Sequence, residues 1–145
     1  MYFCIVDFDE RLNFYYMNNE KDIISLASLS SVTETMNRLE ELLKQQGITI
    51  YARIDQRAEA RRAGLTLAPL ELLIFGNPKG GIPLMNENPL CGLDLPLKVL
   101  VWEDKKQNTL LSYNSFTYLK TRYNLPDDLI TIISTVESLI RQAVR

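Results

Sequence analysis

The residues of this chain whose types and spacing most suggest chemistry are Gly76, Asn77, Pro78, Lys79, Gly80 and Gly81, which follow an apolar run. Glycines beside a lysine are what a backbone needs to cradle an anion. A Walker loop, however, places its lysine and then Ser or Thr directly after the second glycine. Here Lys79 precedes Gly80 and Gly81, and Ile82 follows. A dinucleotide fingerprint needs G-x-G-x-x-G opening a full helix, and these three glycines do not supply that spacing. Two readings stay open. Backbone amides before a helix, with Lys79 adding charge, bind an anion. Alternatively the segment is a strand-to-helix connection in which glycines supply positive φ and Pro78 stiffens the path.

A second set of candidates lies within strands. By alternation Tyr51 and Arg53 share a face, Glu71 and Lys98 each begin a strand, and Trp102 shares the side of Lys98. These residues either line a cleft of aromatic and paired charged groups or form cross-strand ion pairs on an exposed sheet face. Trp102 reads as a core or interface anchor. Its neighbours Glu103 and Asp104 alternate faces and so do not make a carboxylate pair. Glu71 is the one carboxylate considered as an acid–base group. Cys91, in NPLCGLDLP, sits in a loop bounded by proline and glycine and reads as a small buried hydrophobe.

The chain has 145 residues and no histidine. That absence excludes Ser-His-Asp and Cys-His catalysis and histidine-ligated zinc. No cofactor and no metal site is expected. A net charge of -2, with no concentrated basic footprint, argues against nucleic acid as a partner. No apolar run is long enough to span a bilayer, so no membrane association is expected. Tyr2 to Val6 is too short for a signal-peptide core. A cytoplasmic location follows, with Cys4 and Cys91 as free thiols.

The elements that must position these residues can be read in turn. YFCIVDF and LNFYYM, residues 2–8 and 12–17, suggest a hairpin, and residues 23–27 a strand. SSVTETMNRLEELLKQQG predicts a helix, with a capping box between Ser31 and Glu34, an apolar stripe of Val32, Met36, Leu39, Leu42 and Leu43, and a stop at Gly47. ITIYARI is a strand with Ile48, Ile50, Ala52 and Ile54 on one side. A short helix over 56–63 has Asp55 as its N-cap. ELLIFG is a central strand, and IPLMNENP holds one or two helical turns with Pro83 near the first position. LKVLVWED and TLLSY form a hairpin across KKQN. Helices over 114–122 and from Pro126 onward follow, the last with a continuous stripe of Leu129, Ile132, Ile133, Val136, Leu139, Ile140 and Ala143. This order predicts a two-layer α+β domain, a mixed or antiparallel sheet with helices on one face. Residues 1–20 form an N-terminal extension of that domain, which spans 21–145.

From about Ser31 onward the chain resembles the bacterial and archaeal family catalogued as domain of unknown function 302. SVTETMNRLEELLKQQGITIYARID, ELLIFGNPKGGIPLM, GLDLPLKVLVWED and LSYNSFTYL carry the likeness, and FGNPK-G-PLM is the family's hallmark. The resemblance implies a compact two-layer α+β fold, often homodimeric, with no established activity. Many relatives have histidine directly after the ARID segment, where this chain has Gln56. A metal, haem or proton-transfer role resting on that histidine does not carry over, although glutamine still offers a hydrogen bond.

These readings converge on a non-catalytic domain that binds a small molecule or anion at Arg53, Asp55, Gln56, Glu71, Asn77 and Lys79, where the ARID and GNPK strand ends meet. The alternative is a homodimeric interaction module using Tyr51, Lys98 and Trp102. An enzyme using Glu71 or Lys98 is the third.

Overall fold

The computed structural model describes residues 22–145 and the backbones of two earlier strands. In chain order the elements are β1 (Cys4–Ile5), β2 (Phe14–Met17), β3 (Ile23–Ser28), α1 (Val32–Gln45), β4 (Thr49–Asp55), α2 (Gln56–Arg62), β5 (Leu70–Gly76) and α3 (Pro78–Glu87). A 3₁₀ turn (Pro89–Leu93), β6 (Leu97–Glu103), β7 (Thr109–Asn114), α4 (Phe116–Tyr123), α5 (Asp127–Ser134) and α6 (Glu137–Ala143) complete the order. The strands form one sheet in the order β1-β2-β3-β7-β6-β5-β4. Every neighbouring pair is antiparallel, so of the two arrangements predicted the sheet is antiparallel. The fold is α+β, as the sequence predicts. β1 and β2 pair as the two arms of the predicted hairpin; its turn, and the Cys4 side chain, lie outside the described residues.

Local chemistry explains where the elements start and stop. Ser31 accepts from the Glu34 amide and Glu34 reaches back to the Ser31 amide, a capping box that contributes about 1 kcal/mol. Gly47 and Gly64 follow α1 and α2 at φ 71° and 73°, a backbone region that penalises any Cβ. Between β6 and β7, the Asp104 carboxylate accepts from the amides of Lys106 and Asn108 at 2.8 and 2.9 Å. That carboxylate organises a turn containing no glycine.

The core lies between one sheet face and the helices. Leu26, Leu73, Phe75, Val99, Val101 and Leu111 of the sheet meet Met36, Leu39, Leu43, Leu84 and Ile140 of the helices, and all are buried. α1 lies on β4, β5 and β6, and α6 packs against α1. The other sheet face carries Ala52, Ile54, Leu72, Ile74, Leu100 and Trp102, all half-buried, with Lys98 exposed.

Three expectations are corrected. A β-bulge lies between Ile50 and Ala52, so Ile50 faces Phe75 while Arg53 faces Leu73. The bulge absorbs Tyr51 as an extra residue and reverses the alternation after it. Arg53 therefore joins Ile50 on the helix side, and Tyr51 and Arg53 do not share a face. Second, α3 begins at Pro78 with Asn77 as its N-cap, and Pro83 falls inside the helix. Third, the C-terminal helix is two helices. The Ser134 and Thr135 hydroxyls donate to the carbonyls of Thr131 and Ile132, competing with the backbone ladder as such hydroxyls do. Its buried stripe includes Ile130, while Ile132 is 49% exposed. Cys91, in the 3₁₀ turn, is buried, as the sequence predicts. That burial pushes its thiol up, so it behaves as a small apolar residue.

Candidate functional site

The strand register separates the predicted site residues into two groups. Thr49 faces Gly76 at one end of the β4–β5 pair, and Asp55 faces Glu71 at the other. Along β5 these ends are five residue steps apart, Glu71 to Gly76, roughly 17 Å at the usual rise. Arg53, Asp55, Gln56 and Glu71 therefore do not meet Asn77 and Lys79, because antiparallel pairing sends the ARID and GNPK ends in opposite directions.

The first group is a brace between the sheet and α1. Arg53 Nε donates to Glu71 Oε1 at 2.9 Å, and its Nη1 donates to Asn37 Oδ1 at 2.6 Å and Glu40 Oε2 at 3.0 Å. Thr33 donates to the second Glu71 oxygen, and Lys44 pairs with Glu40 at 3.0 Å. Burial opposes the Arg53 charge, but the Glu71 and Glu40 carboxylates outweigh it and raise the guanidinium above its ordinary value. The bond from Lys44, followed by that from Arg53, holds Glu40 below the usual carboxylate range despite partial burial. Glu71 is only 6% exposed, and both its oxygens are engaged. The ion pair between Arg53 and Glu71 exists, but on the helix side and not on an open sheet face. Asp55 caps α2 by accepting from the Ala58 amide at 3.0 Å, and Gln56 is the first residue of that helix.

Lys98 lies on the opposite sheet face from Glu71, so these two groups cannot share a reacting centre. Lys98 donates to the Pro96 carbonyl at 3.3 Å. Trp102 is on the same face as Lys98, and its indole donates to Ser112 Oγ at 2.9 Å. Ser112 in turn bonds Ser25 across β3 and β7 at 2.7 Å. Tyr51, 50% exposed, reaches this face beside Gly76, where a Cβ would lie 3.6 Å from its ring.

The second group borders a cleft of about 330 Å³ at the end of β5. Phe75, Ile48, Leu97, Ile133, Val136 and Leu139 form its apolar walls, and Gln46, Asn77, Lys79, Thr135 and Ser138 supply polar groups. Lys79 is the sole ionisable side chain among the residues lining it. No ion pair engages Lys79 among the described residues. It sits in the first turn of α3, which has no acidic residue, so its charge opposes the helix dipole. Sequence reasoning found Asn77 and Lys79 but missed the walls. Gln46, Thr135 and Ser138 come from elements far apart in the chain, and no local signal joins them.

The glycines serve packing. A Cβ on Gly80 would lie 3.3 Å from Ile132 Cγ2 and 3.4 Å from Ile133 Cγ2, so a glycine lets α3 approach α5 closely. Neither Gly80 nor Gly81 has positive φ, which corrects the turn reading. The amides are also occupied. Asn77 Oδ1 accepts from the Lys79 amide, and the Asn77 carbonyl accepts from Gly80 and Gly81. Pro78 has no amide hydrogen. The segment therefore presents no phosphate-type amide cradle.

Among the described residues, no group of three or more Cys, Asp or Glu side chains is arranged to hold a metal ion. No helix there is long and apolar enough to cross a membrane. Over 106 residues, 73% of its length, the chain is 39% identical to a protein named fluoride-specific ion channel FluC 1 from Brucella suis biovar 1. The same identity and span relate it to fluoride-specific ion channel FluC 2 from Brucella melitensis biotype 1. The match covers 42% of the first and 39% of the second, so the chain spans about two fifths of these curated relatives. A crystal structure of an uncharacterized conserved protein DUF302 from Bacillus stearothermophilus superposes with a TM-score of 0.70 at 26% identity, covering 86% of this chain and 96% of that one. Residues 24–144 match the family described as Domain of unknown function DUF302, and the chain belongs to it.

Proposed function

We propose that this protein is a non-catalytic binding domain that takes a small anionic molecule in the cleft beside Asn77 and Lys79. The observation that carries this reading is a single cation at the rim of an apolar cleft, with no carboxylate lining it to neutralise it. A cleft of about 330 Å³ lies at the small end of ligand-pocket sizes. Lys79 also gains no stability from its position, since a cation in a first helical turn is mildly unfavourable. Arg53 and Glu71 belong to the brace and have no part in this site. Asp55 and Gln56 are likewise too distant to contribute.

Relatives named as fluoride-specific ion channels contain a segment like this chain, which places fluoride among the anions to test. The test is a thermal-shift panel of carboxylates, phosphates and fluoride on the wild type and Lys79→Met. A stabilising anion whose effect disappears in Lys79→Met is the expected result. No stabilisation across the panel contradicts the reading.

A second reading is favoured by the sheet face opposite the core, where exposed Tyr51 and half-buried Trp102, Ile54, Leu72, Ile74 and Leu100 make a largely apolar surface beside Lys98. A second copy of the chain laid on that face would bury it, giving a homodimer. Light scattering over a range of concentrations tests this, and a monomer at the highest concentration contradicts it. A cytoplasmic location is part of the same proposal, and fractionation of cells expressing the protein checks it.

A further inference from the structure

We infer that the ligand class of the cleft is a monocarboxylate carried on a compact apolar body, such as a short fatty or aromatic acid, in preference to a phosphate ester or an inorganic anion. This inference rests on the binding reading above and sharpens it. The charge balance comes first. Lys79 is the one ionisable side chain lining the cleft, so a ligand with one negative charge is neutralised and a dianion is left with a surplus. Burying unpaired charge against apolar walls is costly.

Donor supply points the same way. A phosphate presents three terminal oxygens and is typically met by several amides. The amides of Lys79, Gly80 and Gly81 are all engaged by Asn77, and residue 78 is proline. A carboxylate needs fewer partners. The Lys79 ammonium provides one charge-assisted bond. Asn77 provides another: its Oδ1 already accepts from the Lys79 amide, which leaves its side-chain NH₂ group as the donor for a ligand.

The walls require the apolar body. Half-buried Ile48, Leu97 and Leu139, with the half-exposed Ile132, offer a ligand apolar contact area, and burial of that area favours binding in proportion to its size. Fluoride or inorganic phosphate would leave this surface unused and would have to shed hydration water for a single lysine.

Calorimetric titrations of the full chain with octanoate, octyl phosphate, 1-octanol, inorganic phosphate and fluoride test the inference. Octanoate is expected to bind at least about tenfold tighter than the other four. Lys79→Met, an exposed substitution, is expected to erase the margin of octanoate over 1-octanol while leaving 1-octanol binding unchanged. Amide resonances of Gly80, Ser138 and Leu139 should shift on octanoate addition. If octyl phosphate binds as tightly as octanoate, the carboxylate assignment is overturned and the binding reading stands. If fluoride or inorganic phosphate matches octanoate, the apolar body is overturned. If none of the five binds, both the inference and the reading beneath it fail.

Discussion

Arg53 and Lys79 are both cations near strand ends, and their surroundings give them opposite roles. Arg53 is enclosed by Glu71, Glu40 and Asn37, so its charge is consumed in joining α1 to the sheet. Removing one member of a largely buried ion pair leaves the other uncompensated. Arg53→Met is therefore expected to destabilise the fold by about 3 kcal/mol. The double variant Arg53→Met with Glu71→Leu should recover much of that loss, and urea unfolding of the three proteins measures it. Lys79 behaves differently. Its neutralisation should leave stability unchanged or raise it by up to about 0.5 kcal/mol, while weakening octanoate binding by about tenfold or more. A Lys79→Met protein that unfolds early would show a structural role instead. Tyr123 provides a pH prediction. Burial, and then the Asp94 carboxylate to which its hydroxyl donates, push its phenol up to about 12. The folded state therefore holds this proton more tightly than the unfolded chain does. The associated stability is complete below pH 10, the ordinary phenol value, and declines as pH rises towards about 12. Tyr123→Phe should flatten that decline in alkaline unfolding curves.

At the scale of elements, the local signals were legible and the pairwise ones were not. Ser31 and Glu34 announce the start of α1, Asp55 that of α2, and Gly47 and Gly64 their ends, because each acts within one turn of chain. The bulge at Tyr51 depends on how β4 meets β5, and alternation alone cannot show it. One inserted residue moved Arg53 to the other side of the sheet. The break between α5 and α6 is hidden in the sequence because the apolar stripe runs through it, while Ser134 and Thr135 divert carbonyls by side-chain bonds. Gly80 and Gly81 suggested phosphate chemistry from sequence, yet they differ from each other in packing. A Cβ at Gly80 meets Ile132 and Ile133 at 3.3 and 3.4 Å, whereas at Gly81 the nearest atom is Met85 Cε at 3.8 Å. Gly81→Ala is thus expected to stabilise by about 0.5–1 kcal/mol through helix propensity. Gly80→Val should destabilise by about 1–3 kcal/mol through overpacking. Thermal unfolding of both variants checks the contrast; equal effects would deny a close α3–α5 approach.

For the whole molecule, the α+β architecture was readable because long periodic segments and capping signals agree about element order. The cleft was not, since its walls come from the α1–β4 connection, β5, α3, β6, α5 and α6. Of the six residues proposed from sequence for one site, only Asn77 and Lys79 border it; the register of β4 against β5 assigns the others to the far end. The sheet face opposite the core makes its own prediction at this scale. If two copies meet there, Trp102→Glu should shift light scattering from dimer to monomer without unfolding the chain. The central claim is that the cleft beside Lys79 binds an anion, and a ¹⁵N-resolved NMR titration with octanoate tests it most directly. The account predicts saturable shifts confined to Gln46, Asn77, Gly80, Thr135, Ser138 and their neighbours, reached only at about tenfold or more higher octanoate in Lys79→Met. Shifts clustered elsewhere, or none at saturating octanoate, would contradict it.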